Sequence, residues 1–204
     1  KLKVGQPDHC ADLRRVAALR RHFGDEAALM VDVNQQWDRT TAARMGRALE
    51  EFDLTWIEEP LDAHDLEGHA ALAAQLITPV GTGEMLGSAA EACAFVERGA
   101  VDVIMHDAPR IGGFTPFLQV AEAARRRGIV MAPHFVMELH IHLAAAYEHA
   151  TWVEHFEWLE PLFQERLEIR DGCMQVPTRP GLGLSLSEQV AGWTLASDAF
   201  GQRG

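Results

Sequence analysis

Cysteine is scarce in this 204-residue chain, and the three present, Cys10, Cys93 and Cys173, are widely spaced with no Cys-x-x-Cys pair. That argues against a disulfide framework and a zinc site, and makes a reducing cytoplasm the expected compartment. Positive charge is also in short supply: 18 Lys and Arg stand against 30 Asp and Glu, a net charge of −12. A nucleic-acid surface needs clustered Lys and Arg to displace counterions, so no nucleic-acid partner is expected. The short basic run Arg125-Arg126-Arg127 reads instead as the last turn of a helix before Gly128, where it complements the helix dipole. No apolar run is long enough to span a bilayer, so no membrane partner is expected. Low-complexity segments are absent too.

What is present is a recurrence. Seven strand-like runs follow one another, each with a charged residue or histidine at its tip: Lys3, Asp32, Glu58, Glu84, Asp107, His134 and Glu154. Successive members lie roughly 20–30 residues apart, about one strand plus one helix and two loops, as a (β/α)8 barrel requires. Parallel barrel strands point the same way, so their carboxyl ends converge on one mouth where such proteins place their chemistry. The expected fold is therefore α/β, a TIM-type barrel. The chain opens on Lys1 rather than Met, and its first residues already read as the end of a strand. We therefore expect at least one βα unit to precede it, in a longer protein.

Amphipathic helical stretches separate the strands. Asp8 is placed to cap a helix running to Phe23 and ended by Gly24. Asp38 or Thr40 opens the next, with Ala42, Met45, Leu49 and Phe52 at helical spacing. Ser88-Ala89-Ala90-Glu91 has the capping-box form, and Gly99 closes that helix. Thr115-Pro116 puts Pro at a first helical position ahead of Phe117. After Glu154 the alternation stops. Leu167 to Val176 reads as a hairpin with an Asp171-Gly172 turn, followed by the loop Pro180-Gly181-Leu182-Gly183. Two parts are expected: a partial barrel over 1–155, and a hairpin and tail over 156–204 that packs back towards a neighbouring domain.

The tips define a chemistry. Asp32, Glu58 and Glu84 come from three consecutive strand ends, and three carboxylates sharing a site repel one another unless a cation neutralises them. Oxygen ligands alone favour Mg2+, with Mn2+ as a substitute. Each carboxylate alone could instead cap a helix or form a barrel salt bridge; three in succession favour the metal. Lys1 and Lys3 share strand parity and project to the same side, towards the barrel interior. Two ammonium groups crowded beside a divalent cation depress each other's pKa, bringing one towards use as a base. Asp107 and His134 end adjacent strands, so the carboxylate can fix the imidazole tautomer and raise its basicity. Glu154, if held protonated, could donate to a substrate oxygen. An amine and an imidazole on opposite sides of a metal suit removal of the proton next to a carboxylate. Returning a proton to the other face gives racemisation; protonating a β-hydroxyl gives dehydration. His140 and His142, two apart on a helix, point to different faces and make no zinc pair. Ile111-Gly112-Gly113 reads as a turn, and Met137 and Trp158 as packing residues.

These residues resemble the enolase superfamily, specifically its mandelate racemase subgroup. The likeness rests on Lys1-Leu2-Lys3, Val31-Asp32-Val33-Asn34, Trp56-Ile57-Glu58-Glu59-Pro60, Thr82-Gly83-Glu84, Asp107 to Gly113 and Ala132-Pro133-His134. It implies Asp32, Glu58 and Glu84 as Mg2+ ligands, Lys3 and His134 as the two acid/base groups, and Asp107 as the partner of His134. It further implies Glu154 hydrogen-bonded to the enediolate, with Lys1 and Asn34 near the substrate carboxylate. In Glu58-Glu59 the family motif selects the first Glu, and strand parity with Trp56 agrees. Pro133 to His140, Trp152 to Leu159 and Arg179 to Gly183 look like the L-talarate/galactarate dehydratases of that subgroup. The resemblance thus implies an acid-sugar substrate, a homo-oligomer, and an N-terminal α+β capping domain outside this chain. His106 departs from the family pattern, which has Pro before the Asp, and so bears on specificity. A barrel that binds sugar acids without turnover is the alternative of another class, and the presence of all seven polar positions argues against it.

Overall fold

The computed structural model describes residues 1–149 and 151–193. Six parallel strands, β1 (Leu2–Lys3), β2 (Met30–Asp32), β3 (Trp56–Glu58), β4 (Val80–Thr82), β5 (Val103–Ile104) and β6 (Val130–Met131), lie side by side in chain order. This is the α/β barrel order expected from the spacing. Lys3 is in register with Asp32, and Asp32 with Glu58, so three tips stand in one row. The seventh run is a single parallel bridge, Met131 to Thr151, rather than a strand. Trp152 N and the Thr151 hydroxyl both donate to Met131 O, at 3.0 and 2.7 Å. Beyond that bridge, Glu154 is drawn to Phe135 N at 2.8 Å instead of continuing the ladder.

The strands β2 to β5 are short and buried on both faces because the wall has a filling on each side. Val31, Ile57, Val80 and Ile104 are fully buried. Outside the wall, Val16, Met45 and Leu49 pack over one half, and Phe95, Phe117 and Val120 over the other. Inside it, Met30, Trp56, Val103 and Met105 form the barrel core. Burying side chains of this size contributes about 1.5–3 kcal/mol each.

The helices follow their caps. Asp8 accepts from Ala11 N at 3.0 Å to open α1 (His9–Phe23), and Asp38, not Thr40, accepts from Thr41 N at 2.7 Å to open α2 (Arg39–Leu49). The helix α3 (Leu66–Ala73) is capped by Asp65, and α4 (Ala89–Arg98) by Ser88, with Gly99 in the left-handed region at its end. A four-residue helix, α5 (Ala108–Ile111), starts directly at Asp107. The next, α6 (Phe114–Arg127), starts two residues earlier than the Thr115-Pro116 signal suggests. Gly112 and Gly113, with φ of 98° and 108°, turn the chain early. Pro116 still falls in the first turn, where a missing N–H costs nothing. The last barrel helix is α7 (Met137–Ala145).

A 3-10 turn (Glu157–Leu162), the antiparallel pair β7 (Ile169–Arg170) and β8 (Cys173–Met174), and α8 (Val190–Trp193) follow. Asp171 and Gly172 both take positive φ, as a two-residue hairpin turn of this hand requires. Of the tail expected over 156–204, residues 194–204 lie outside the described residues. Met137 packs as expected, whereas Trp158 is 74% exposed, with Phe135 edge-on at 5.6 Å and Phe156 tilted against it at 5.0 Å between centroids. The three cysteines are free thiols. No helix among the described residues is long and apolar enough to cross a membrane.

Candidate active site

The carboxyl ends of the strands converge as the spacing predicts. Lys3, Asp32 and Glu58 are the last residues of β1, β2 and β3, while Glu84, Asp107, His134 and Glu154 lie two to three residues beyond their strand or bridge. A cavity of about 210 Å3 opens at this mouth. Lys1, Glu58, His134 and Glu154 line its polar side, and Met30, Trp56, Met105 and Trp152 its apolar floor.

One side of the mouth is an ammonium–carboxylate cluster. Lys1 Nζ donates to Glu58 Oε1 at 2.5 Å and to Glu154 Oε1 at 2.9 Å, and stands 3.8 Å from Asp32 Oδ2. Lys3 Nζ donates to the same Asp32 oxygen. The two lysines therefore share one target, as their parity requires. Burial lowers the pKa of Lys1, but the contacting carboxylates of Glu58 and Glu154 outweigh burial and hold it above the usual lysine range. The depression expected from the sequence is that of two ammonium groups beside a divalent cation. Glu154, expected as a donor, accepts at both oxygens, from Lys1 and from Phe135 N.

The other side is a dyad. His134 Nδ1 lies 2.9 Å from Asp107 Oδ2, and His134 Nε2 lies 3.8 Å from Glu84 Oε1. Asp107 uses its second oxygen to accept from Arg110 N at 3.0 Å, so one carboxylate both caps α5 and orients the imidazole. Burial works against the charged forms of both groups. The Asp107 hydrogen bond, with the charges of Glu84 and Glu154, still raises the pKa of His134. The same bond and the Arg110 N–H hold Asp107 below the usual carboxylate range.

The three candidate metal ligands are all present at this mouth. Burial, with the charge of Asp32 adding and Lys1 opposing, pushes Glu58 up to about 6. Burial also raises Glu84, with Asp32 again adding. Buried carboxylates of this kind, offering only oxygen, fit a hard divalent cation. They are not drawn to a common point, however. Among the described residues the only three potential ligands with donor atoms all within 4.8 Å of one another are His155, Glu157 and Glu160. That group is largely exposed, and Glu160 is already paired with Arg166 at 3.0 Å. At the mouth, the Lys1 ammonium stands among the Asp32, Glu58 and Glu154 oxygens, and Glu84 leans to His134.

Further residues support these side chains, some of them without a role in the sequence pattern. Trp56 Nε1 donates to Glu58 Oε2 at 3.0 Å. Glu59 is buried too; desolvation, then the Glu84 charge, pushes it up to about 7, and Gln35 Nε2 donates to it at 3.1 Å. The Glu58-Glu59 doublet was the available signal. Asn34 lies at the rim, its N–H donating to Asp32 Oδ1 at 2.9 Å. His106, expected to bear on the pocket, is instead fully buried and stacked on Phe117 at 3.8 Å, in the wall behind it. Among the described residues, four of the six non-glycine residues with positive φ, Asn34, Gln35, Glu59 and Phe135, follow site residues directly or within three positions. Strained backbone of this kind clusters at functional mouths.

Comparison with known proteins places this geometry. Residues 1–190 match the family described as enolase C-terminal domain-like. The chain is 57% identical over 203 residues to the L-talarate/galactarate dehydratase of Salmonella typhimurium (strain LT2), covering all of this chain and 51% of that protein. It superposes with a TM-score of 0.91 on the crystal structure of L-talarate dehydratase from Polaromonas sp. JS666 complexed with Mg and L-glucarate, at 65% identity, over 94% of this chain and 54% of that one. For the Salmonella enzyme liganded with Mg and L-lyxarohydroxamate the TM-score is 0.92 at 56% identity, covering 95% of this chain and 50% of that one. The chain thus spans about half the length of the relatives it matches.

Proposed function

The chain belongs to the enolase C-terminal domain-like family, and from that premise we propose that it is the barrel of a Mg2+-dependent acid-sugar dehydratase acting on galactarate or L-talarate. One observation carries the reading. The His134–Asp107 dyad, poised by a 2.9 Å bond, shares its mouth with the lysine–carboxylate cluster of Lys1, Lys3, Asp32 and Glu58. The relatives that superpose on this chain hold Mg with L-glucarate or L-lyxarohydroxamate, which are acid-sugar ligands of this kind.

Asp32, Glu58 and Glu84 would hold the Mg2+, which supplies positive charge to stabilise the anion that forms next to the substrate carboxylate. Lys3 or His134 takes the α-proton, depending on the face it occupies. His134, kept basic by Asp107 and Glu84, returns a proton to the departing β-hydroxyl, and loss of water gives a 3-deoxy-2-keto acid. Lys1 and Asn34 orient the substrate carboxylate, and Glu154, which holds Lys1 in place, hydrogen-bonds the enediolate. The same two acid/base groups would support epimerisation if the proton returned to the α-carbon. The segment from residue 156 carries exposed Trp158, Ile169, Val176, Leu186 and Trp193, which supports its packing against the remainder of the full-length protein. We extend the proposal to a homo-oligomer in a reducing cytoplasm, consistent with the free thiols.

The test is to incubate the full-length protein with Mg2+ and a panel of acid sugars and to assay keto acid. Galactarate or L-talarate should give product. Solvent deuterium at the α-carbon without keto acid would replace the dehydratase by an epimerase. Saturable binding with neither would leave a binding protein.

A further inference from the structure

His140 takes no part in the chemistry above, yet it is fully buried behind it, on α7. Its Nε2 accepts from Ala108 N at 3.0 Å, and its Nδ1 donates to Phe135 O at 3.2 Å. Ala108 directly follows Asp107, and Phe135 directly follows His134. One imidazole therefore bridges the two loops that carry the dyad. Starting at Asp107, the path runs through its 2.9 Å bond to His134, along the chain to Phe135, across His140, and back through Ala108. It is a closed ring.

The chemistry of each contact fits this use. Ala108 N is the first N–H of α5 and has no partner inside that helix, so in a buried wall it needs an outside acceptor. Phe135 sits at φ 56°, a conformation a bulky residue holds only when its surroundings fix it. Both ends of its backbone are held: Glu154 accepts from its N–H at 2.8 Å, and His140 donates to its carbonyl. Only the neutral imidazole with its proton on Nδ1 satisfies both contacts, because a second N–H on Nε2 would face the Ala108 N–H. Burial favours that neutral form. The ring plane is set by stacking on Phe117 at 5.5 Å between centroids and 27° between planes, and Phe117 is itself stacked on His106.

We propose that His140 is a positioning residue that locks the Asp107 and His134 loops in register, so that the dyad bond forms without reorganisation. The catalytic part of this proposal rests on the dehydratase reading; the register of the dyad does not. A group held by two directional bonds across two loops transmits small displacements to the reacting atoms, and a misplacement near 1 Å costs about 10²-fold in rate.

The test uses the full-length protein and two variants. His140→Phe keeps an aromatic ring but removes both bonds; His140→Gln can both donate and accept. Two properties are followed: turnover per folded molecule, and the NMR signal of the His134 Nδ1–H proton hydrogen-bonded to Asp107. We expect His140→Phe to lose about 10²-fold in kcat with KM within twofold, and to lose or shift the Nδ1–H signal upfield. His140→Gln should recover most of both. If both variants merely melt at lower temperature, with kcat and the proton signal as in the native protein, His140 is only a core residue and the proposal is overturned. If the native protein dehydrates no acid sugar, the functional reading fails, while the proton signal still decides the register.

Discussion

Trp56 and Glu58 lie two apart on β3 and on the same side of it, and the indole N–H donates to Glu58 Oε2 at 3.0 Å. The other oxygen of that carboxylate takes Lys1, so Glu58 is fixed at both ends in a buried setting. Hydrogen bonds that orient a ligating carboxylate tune its affinity for the metal, and their loss typically costs 10- to 100-fold. Trp56→Phe should therefore weaken Mn2+ binding to the full-length protein by about that factor. Titration followed by electron paramagnetic resonance reads this directly. Unchanged affinity would remove Trp56 from the site.

Asp107 allows its two jobs to be separated. Oδ1 caps α5 through Arg110 N, and Oδ2 holds His134. Asn caps a helix as well as Asp does, so Asp107→Asn should leave the melting temperature nearly unchanged. It cannot supply the negative charge that keeps His134 basic, so kcat should fall by about 10² to 10⁴-fold with KM little altered. A variant that melts early yet turns over normally would reverse this assignment.

The tips were legible because their spacing follows from barrel geometry alone. Strand parity paired Lys1 with Lys3 and Trp56 with Glu58 without any knowledge of contacts. What parity cannot give is distance. It could not show which carboxylates the two ammonium groups contact, Glu58 and Glu154 for Lys1 and Asp32 for Lys3. Nor could it show that Glu154 accepts twice, or that His140 reaches across 32 residues to Ala108. The short α5 carries too few residues for a periodicity, and its start is defined by Asp107, whose side chain had already been assigned to His134. The place of His106 in the wall was not legible for a related reason. Its neighbour Asp107 faces the mouth, and in an extended segment adjacent side chains face opposite ways.

The buried imidazole of His106 contributes an acid-sensitive share of the stability. Desolvation pushes its pKa down to about 3, with His140 adding to the depression and Phe117 O and Asp107 opposing it. In the unfolded chain an imidazole titrates near about 6.5. Between those values the unfolded chain binds a proton that the folded protein refuses. This contribution is therefore full above about pH 6.5 and is lost as pH falls towards 3, by up to about 1.4 kcal/mol per unit. His69 and His140, also depressed by burial, act in the same direction. Glu58 and Glu59, whose pKa values are raised in the fold, act in the opposite direction over this window, so the His106 share is read by difference. Urea unfolding at several pH values should show stability falling less steeply towards acid in His106→Gln than in the native protein. The same pH dependence in both would contradict the linkage.

Gly83 connects the wall to the metal candidate Glu84. Its φ is +137°, and an added Cβ would lie 3.0 Å from Met105 N and 3.2 Å from His106 N. Both are backbone atoms at the exit of β5, so relief cannot come from a side-chain rotation. Gly83→Ala should cost about 1–3 kcal/mol of stability. The displacement falls on the peptide that carries Glu84, so divalent-cation affinity should drop with it. Gly87 provides the control, since its added Cβ meets nothing within 4 Å and its φ is not in the left-handed region. Gly87→Ala should therefore keep both the melting temperature and the Mn2+ affinity of the native protein. Equal losses in the two variants would mean that the loop tolerates no change anywhere, and that the close approach at Gly83 does not set the position of Glu84.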